Sequence, residues 1–350
     1  MNAPWIAAAL LVPVASAAQQ PERRVVPGDH VAVYNLAGLV RIERGGGTDV
    51  VVELTRGGRD AGKLSVATGP LRGRETLRVM YPDDEIAYRE LGQGSTTLHV
   101  RDDGTFNDHD GRHWFDDGRR VRITGSGRGL EAHADLRIAI PPGKRVDVYL
   151  AVGRVTVSNV EGDLRVDVAS ADVTADHVKG TLTVDTGSGD VHLSDAQGDV
   201  SLDTGSGNVT VSGMRGDELK LDTGSGDVSA DRVTADVLKI DTGSGDVTAS
   251  SIRSTDVNID TGSGGVQLDL LSDLASLYVD TGSGDVTVRI PAAFGATLDI
   301  ETSSGGIDLQ DVVVKATRLE EDHVVGEIGD GKGRVKIETG SGGVRIVRTQ

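Results

Sequence analysis

Cysteine is absent from the 350-residue chain, which excludes disulfides, thiolate metal sites and a lipid-modified N-terminal cysteine. Aromatic residues are 3% of the chain, and after residue 145 only Tyr149, Tyr278 and Phe294 remain. That half cannot line a sugar-cleaving cleft with aromatic platforms. Basic residues are in deficit, 36 Lys and Arg against 54 Asp and Glu, a net charge of −18. Such a balance excludes nucleic acid as a partner, because phosphates demand a basic surface. It also disfavours unassisted binding to anionic lipid and leaves polyvalent cations or cationic partners open. No helical periodicity occurs, and no phosphate-binding glycine loop precedes a helix.

One apolar run stands out, Trp5 to Val14, and it is too short to span a bilayer. Ala15-Ser16-Ala17 follows with the small-residue pattern of a cleavage site, so residues 1–18 read as a signal peptide, although no Lys or Arg precedes the run. Export is expected, to the periplasm, the cell surface or the medium, with no transmembrane segment once the leader is removed.

What is abundant is glycine, 48 residues, much of it in one recurring heptapeptide. Asp-Thr-Gly-Ser-Gly-Asp-Val begins at Asp185 and returns, with small changes after the second glycine, at Asp203, Asp222, Asp241, Asp260 and Asp280. Looser copies begin at Asp167, Glu301 and Glu338. Successive starts from Asp167 lie 18, 18, 19, 19, 19, 20, 21 and 37 residues apart. A fixed period of this size is the mark of stacked repeats.

Within each repeat, alternation puts Leu182 and Val184 inward and Asp185 outward, then Val191 and Leu193 inward beyond the corner. A third apolar position (Val160, Val178, Met214, Val233, Ile252) closes the coil. This is the pattern of an all-β parallel β-solenoid, β-helix-like, with coils about 4.8 Å apart and a repeat half on the order of 50 Å long. Its corners are glycine pairs, Gly187/Gly189, Gly205/Gly207, Gly224/Gly226, Gly243/Gly245, Gly262/Gly264 and Gly282/Gly284, which permit a turn too tight for a Cβ. The 37-residue gap fits one coil carrying an insertion around Ala316 to Lys332. Residues 145–350 form the repeats, and 19–144 form an N-terminal β module that caps the open end of the stack.

Three chemical readings of the repeat compete with a structural one. Asp-Thr-Gly-Ser is also the aspartic-protease signature, but a dyad needs two copies facing across a cleft, and stacked copies face the same way. A calcium ladder along Asp185, Asp203, Asp222, Asp241, Asp260 and Asp280 would relieve repulsion between carboxylates one coil apart. An ice- or crystal-binding face would need regular Thr files, and the file Thr156, Thr174, His192, Thr210, Ser229, Thr248, Gln267, Thr287 is broken. The structural reading is that each leading Asp accepts hydrogen bonds from corner N–H groups as an Asx-type turn. In the N-terminal module, Asp108, Asp110 and Asp117 imitate part of a calcium loop whose first ligand position is occupied by Phe106, which cannot coordinate. That loop reads as a solvated segment tucking Phe106, Trp114 and Phe115 against the sheet, with a cation or glycan contact as its alternative.

The Thr-Gly-Ser-Gly-Asp-Val units and the ending Gly331-Lys-Gly-Arg-Val-Lys-Ile-Glu-Thr-Gly-Ser-Gly-Gly-Val-Arg-Ile resemble the bacterial candidate-adhesin β-strand-repeat family, a domain of unknown function in envelope proteins. The resemblance covers about Val146 to Arg348 and, more faintly, Val31 to Ile42. It implies a secreted or surface β-solenoid and carries over no catalytic residues. The expectation is a non-enzymatic, exported, adhesin-like binding or scaffold protein with no cofactor other than an optional calcium. Its partner would be an unidentified envelope or surface macromolecule, protein or glycan. The alternatives are a cation-stabilised partner in envelope stress signalling and a carbohydrate-active β-helix enzyme.

Overall fold

A computed structural model describes residues 21–107 and 118–349. The expected leader, residues 1–18, lies outside them. Among the described residues the only helical elements are two three-residue 3-10 turns, Ala61–Lys63 and Arg89–Leu91, and no helix is long and apolar enough to cross a membrane.

The coil is built as the alternation predicts. Strand Leu182–Thr186 buries Leu182, Val184 and Thr186, and strand Val191–Gln197 buries Val191, Leu193 and Ala196. The same six positions are buried in the next coil at Val200, Leu202, Thr204, Val209, Val211 and Met214. Parallel pairing keeps like on like: Leu182 faces Val200, which faces Leu219, Leu238, Val257 and Leu277 in turn. The core is thus a column of aliphatic side chains, each stacked on its counterpart one coil away. A parallel β-solenoid is the fold.

The period grows where the sequence adds one residue at a bend. Gly198 precedes Val200 by two positions, whereas Gly216, Ala235 and Ser254 precede Leu219, Leu238 and Val257 by three. The inward columns stay in register because the extra residue is taken up at this bend, within strands that run on through it (Val209–Thr223, Val228–Thr242 and Val247–Thr261).

The order of coils departs from chain order at both ends. Strand Gly333–Ser341 lies between Ser276–Ser283 and Ala296–Thr302, and Val344–Arg348 lies between Val286–Ile290 and Ile307–Gln310, all parallel. The last coil in sequence is therefore the last but one in the stack. The expected insertion takes the form of a hairpin, Val314–Leu319 with His323–Ile328, whose second strand pairs antiparallel with Ala296–Thr302. Spacing in sequence counts coils but carries no information about their order. The hairpin covers the far edge of Ala296–Thr302, and the returning chain takes the remaining edge.

The N-terminus mirrors this plan. Strand His30–Arg44 lies between residues 145–158 on one side and Arg74–Met80 with His133–Ile140 on the other. Antiparallel strands then cover that end: Val50–Gly57 on His133–Ile140, Glu22–Val26 on Val50–Gly57, and Ser65–Leu71 on Arg74–Met80. Parallel pairing runs across residue 144, so the N-terminal strands and the repeats share one sheet. A separate three-stranded sheet, Glu85–Ala87, Ser95–Val100 and Arg119–Thr124, flanks it.

The intercalated order predicts the effect of a truncation. In a chain ending at Lys332, strand Ala296–Thr302 loses the coil it rests on, so its amides are expected to lose hydrogen-exchange protection together with the hairpin. Retained protection over 296–302 would contradict the order described here.

Candidate functional site

At the repeated corner, every residue type in the motif has a separate task. The Thr is buried, and its hydroxyl donates to a corner carbonyl of the neighbouring coil: Thr204 to Gly189 O at 3.1 Å, Thr223 to Gly207 O at 3.0 Å, Thr242 to Gly226 O at 3.1 Å and Thr281 to Gly264 O at 3.0 Å. Thr339 reaches Gly284 O and Thr302 reaches Gly342 O, which repeats the intercalated order. The glycine N–H groups continue the ladder around the corner, as Gly224 N donates to Thr204 O and Gly226 N to Ser244 O, both at 3.0 Å. A Cβ on Gly226 would stand 2.0 Å from Gly207 O, and one on Gly224 2.5 Å from Gly205 O. The glycines are required by the neighbouring coil's backbone as much as by the turn; equivalent close approaches recur at Gly187, Gly189, Gly205, Gly207, Gly243, Gly245, Gly262, Gly264, Gly282 and Gly284.

The two aspartates of the motif divide differently from the expectation. The one after the corner makes the cap: Asp190 Oδ1 accepts from Asn208 N at 2.8 Å, Asn208 Oδ1 from Asp227 N at 2.9 Å, Asp227 Oδ1 from Asp246 N at 2.9 Å and Asp246 Oδ1 from Gly265 N at 2.8 Å. Each therefore caps the neighbouring coil. The leading Asp accepts no corner N–H among the described residues, because those donors already bond to carbonyls of adjacent coils.

Asp185, Asp203, Asp222, Asp241, Asp260 and Asp280 do form a register-locked outward file, which Glu338 and then Glu301 extend. Partial burial raises the carboxyls of Asp203 and Asp260, each helped by an acidic neighbour above and below. Side chains of the adjacent file relieve some of this repulsion. Lys220 lies 3.6 Å from Asp222, Lys336 lies 2.9 Å from Glu338, and the Tyr278 hydroxyl reaches both Asp280 and Glu338. No three ladder residues bring ligand atoms within 4.8 Å of one another. Their arrangement also places all the Asp-Thr-Gly copies on one face, with none opposite another across a cleft.

Toward the N-terminal end the file continues as Asp167, Tyr149 and Tyr34. The two tyrosines stack 4.5 Å apart at 4°, and Phe106 packs edge-on against both. Asn107 Nδ2 donates to Asp167 Oδ1 at 3.1 Å. Burial pushes the Asp167 carboxyl up to about 6, with the Asp185 charge adding to it. Beside the tyrosines, buried Asp147 accepts from His30 Nε2 at 2.7 Å and Arg74 Nη1 at 2.8 Å, and Arg74 also donates to the Tyr34 hydroxyl. The loop candidates Asp108, Asp110 and Asp117 lie outside the described residues; Phe106, which precedes them, is buried as expected.

The sequence reading missed a second bend. Asn159, His177, Asp195, Gly213, Arg232 and Ser251 all have φ between 50° and 75°, one per coil. Their side chains share no chemistry, and only the Asn, Asp and Gly among them signal a left-handed residue. At this bend His177 Nδ1 lies 2.7 Å from Asp176 Oδ2 and Nε2 lies 3.8 Å from Asp195 Oδ2; the Asp176 hydrogen bond is the main cause that raises the imidazole pKa. Among the described residues these three are the one group of carboxylate and imidazole ligand atoms gathered within 4.8 Å, a nitrogen and oxygen set of the kind zinc accepts.

Taken together, the register-locked files, the capped ends and the absence of facing carboxylates among the described residues define a β-solenoid whose chemistry is spread over its outer faces. Residues 176–347 match the family model of Toastrack DUF4097, in agreement with the resemblance to a β-strand-repeat family of unknown function. Two solved structures are similar: a candidate cell adhesion protein from Clostridium sporogenes ATCC 15579 (9% identity, 94% of this chain and 100% of that one, TM-score 0.21) and a candidate adhesin from Bacteroides fragilis NCTC 9343 (14% identity, 94% and 98%, TM-score 0.32). No curated protein matches the chain.

Gly226→Ala is expected to cost roughly 2–4 kcal/mol, whereas Gly265→Asn, which supplies the missing cap for Asp285 N, should gain about 0.5–1 kcal/mol, both read from denaturant midpoints. Asp167 holds its proton more tightly folded than unfolded, so its penalty is full above pH 6 and vanishes below the ordinary carboxyl pKa of 3.8. Asp167→Asn should therefore stabilise the chain at pH 7.5 by about 1–3 kcal/mol and flatten the rise in melting temperature between pH 7.5 and 5. A variant whose pH profile parallels the parent's would rule this out.

Proposed function

We propose that the protein is exported and works without catalysis, as a rigid rod that holds its outer faces against another macromolecule of the envelope or cell surface. The observation that carries this reading is the register. Pairing on both sides of each repeat strand holds outward side chains in straight files, so binding groups are repeated along the rod rather than converged on one point. Catalysis by paired carboxylates needs two such groups across a substrate, and the files of this rod point away from one another. A repeated surface suits recognition of a repeated or extended partner, where many individually weak contacts sum.

The test is fractionation of cells expressing the full chain, with the N-terminus of the recovered protein read by mass spectrometry. The expected product begins at Ala18 or Gln19 and sediments with envelopes from which it can be washed by salt. An intact Met1 terminus in the cytosolic fraction would contradict export, and a processed chain that leaves envelopes unbound would contradict the binding role.

A further inference from the structure

The short third side of the coil carries one unbroken outward file. Lys179, Gln197, Arg215, Thr234 and Arg253 face one another in consecutive coils. Cations alternate along it with neutral hydrogen-bonding side chains, so successive cations stand two coils apart, about 9.6 Å at the usual strand spacing. All five are exposed, and neither Arg215 nor Arg253 has a hydrogen-bonding or ionic side-chain partner among the described residues. Beside this file the second bend carries Gly213, whose missing side chain opens a groove of about 620 Å³. Lys179, Gln197, Arg215 and Arg232 line it, with His177 and Asp195 at one end. Arg232 is held there by Asp231 and by Ser212 Oγ at 2.6 Å, and Lys179 lies 3.4 Å from Glu161. Glu161 and Asp231 thus offset Lys179 and Arg232, which leaves Arg215 and Arg253 as the exposed cations of this face that no carboxylate among the described residues offsets.

The geometry points to this face as a binding site for a linear anionic polysaccharide that carries one acidic group per disaccharide. The inference rests on the envelope- or surface-binding reading and specifies its ligand. Cations every second coil match the length of a disaccharide repeat, and Gln197 and Thr234 stand between them where sugar hydroxyls would fall. The face has no aromatic residue, so neutral sugars would lack a stacking platform and recognition depends on charge. An extended peptide is less well served, because the strands under the file are paired on both sides and offer no free edge for strand addition. Arg guanidinium groups suit carboxylate, sulfate or phosphate esters alike through paired N–H donors.

The test uses the chain from Gln19 to Gln350 with a hyaluronan 20-mer as probe, followed by fluorescence anisotropy at low and moderate salt. Binding that weakens steeply with salt is expected, with none to a neutral cello-oligosaccharide. Arg215→Glu should weaken it at least tenfold, the double variant Lys179→Ala/Arg253→Ala comparably, and Asp241→Asn, on the leading-Asp face, not at all; all these sites are exposed, and unchanged melting temperatures would confirm folding. Absence of hyaluronan binding, indifference to Arg215→Glu, or equal or tighter binding of poly-glutamate would overturn the assignment. In the envelope sedimentation assay, equal association of the parent and Arg215→Glu would remove this ligand while leaving the envelope-binding reading intact. Failure of both to associate would remove that reading itself.

Discussion

The constraint on which the molecule depends is the distance between one corner and the next. Strands in a parallel sheet lie about 4.8 Å apart, and a solenoid must hold that spacing around its bends as well as along its sides. At the repeated corner the carbonyl of one coil reaches to within about a van der Waals contact of the α-carbon above it, which leaves glycine as the residue that fits. Two ordered glycines cost roughly 1–2 kcal/mol in chain entropy. The Thr hydroxyl bond and two inter-coil N–H bonds, at about 0.5–1.5 kcal/mol each, offset this. The corner also keeps the aliphatic column of the core in register from coil to coil.

How much of this was legible follows from which residues carry a unique chemistry. Leu182, Val184, Val191 and Leu193 announce their burial by alternation, and the Gly-Ser-Gly corner announces itself by repetition. Asp185 and Asp190 were harder to tell apart, because both are outward acids within three residues of a glycine. Which one caps depends on where the neighbouring coil's N–H points, a relation between coils that one repeat does not contain. The second bend was hidden for a different reason. His177 and Arg232 occupy a left-handed position that the continuous sheet on either side imposes, against their own preference. The order of the terminal coils was hidden because Glu301 and Glu338 begin near-equivalent motifs, and a motif fits any slot of equal spacing.

That equivalence has a structural use. A solenoid built strictly in chain order leaves a bare strand edge and an open core at each end, where another chain could add. Here the C-terminal strands fold back into a slot one coil inside the stack, and at the other end the first parallel strand, His30–Arg44, is likewise internal, with antiparallel strands covering what lies beyond. Unzipping from the C-terminal side must therefore start at an internal coil paired on both sides. At the N-terminal end the same logic extends to side chains. The outward acidic file stops at a stacked tyrosine pair covered by Phe106, and its first carboxylate, Asp167, is buried by Asn107.

Register also distributes charge in a way that no single repeat suggests. Whatever residue type recurs at an outward position becomes a continuous file, so a repeated Asp becomes a stripe of repelling carboxylates whether or not a ligand needs it. The leading-Asp file carries that cost, visible in the raised carboxyls of Asp203 and Asp260, and draws Lys220, Lys336 and Tyr278 toward it. The post-corner file avoids much of it by turning each carboxylate toward a backbone N–H, and Asn208 takes the same position without charge. The short side carries the opposite sign at alternate coils. Because these sides are separated by bends, an anionic partner approaching the basic side is shielded by the rod itself from much of the acidic side, within the roughly 8–10 Å reach of charge in physiological salt. A net charge of −18 therefore describes the rod's solubility better than it describes the sign of what the rod can bind.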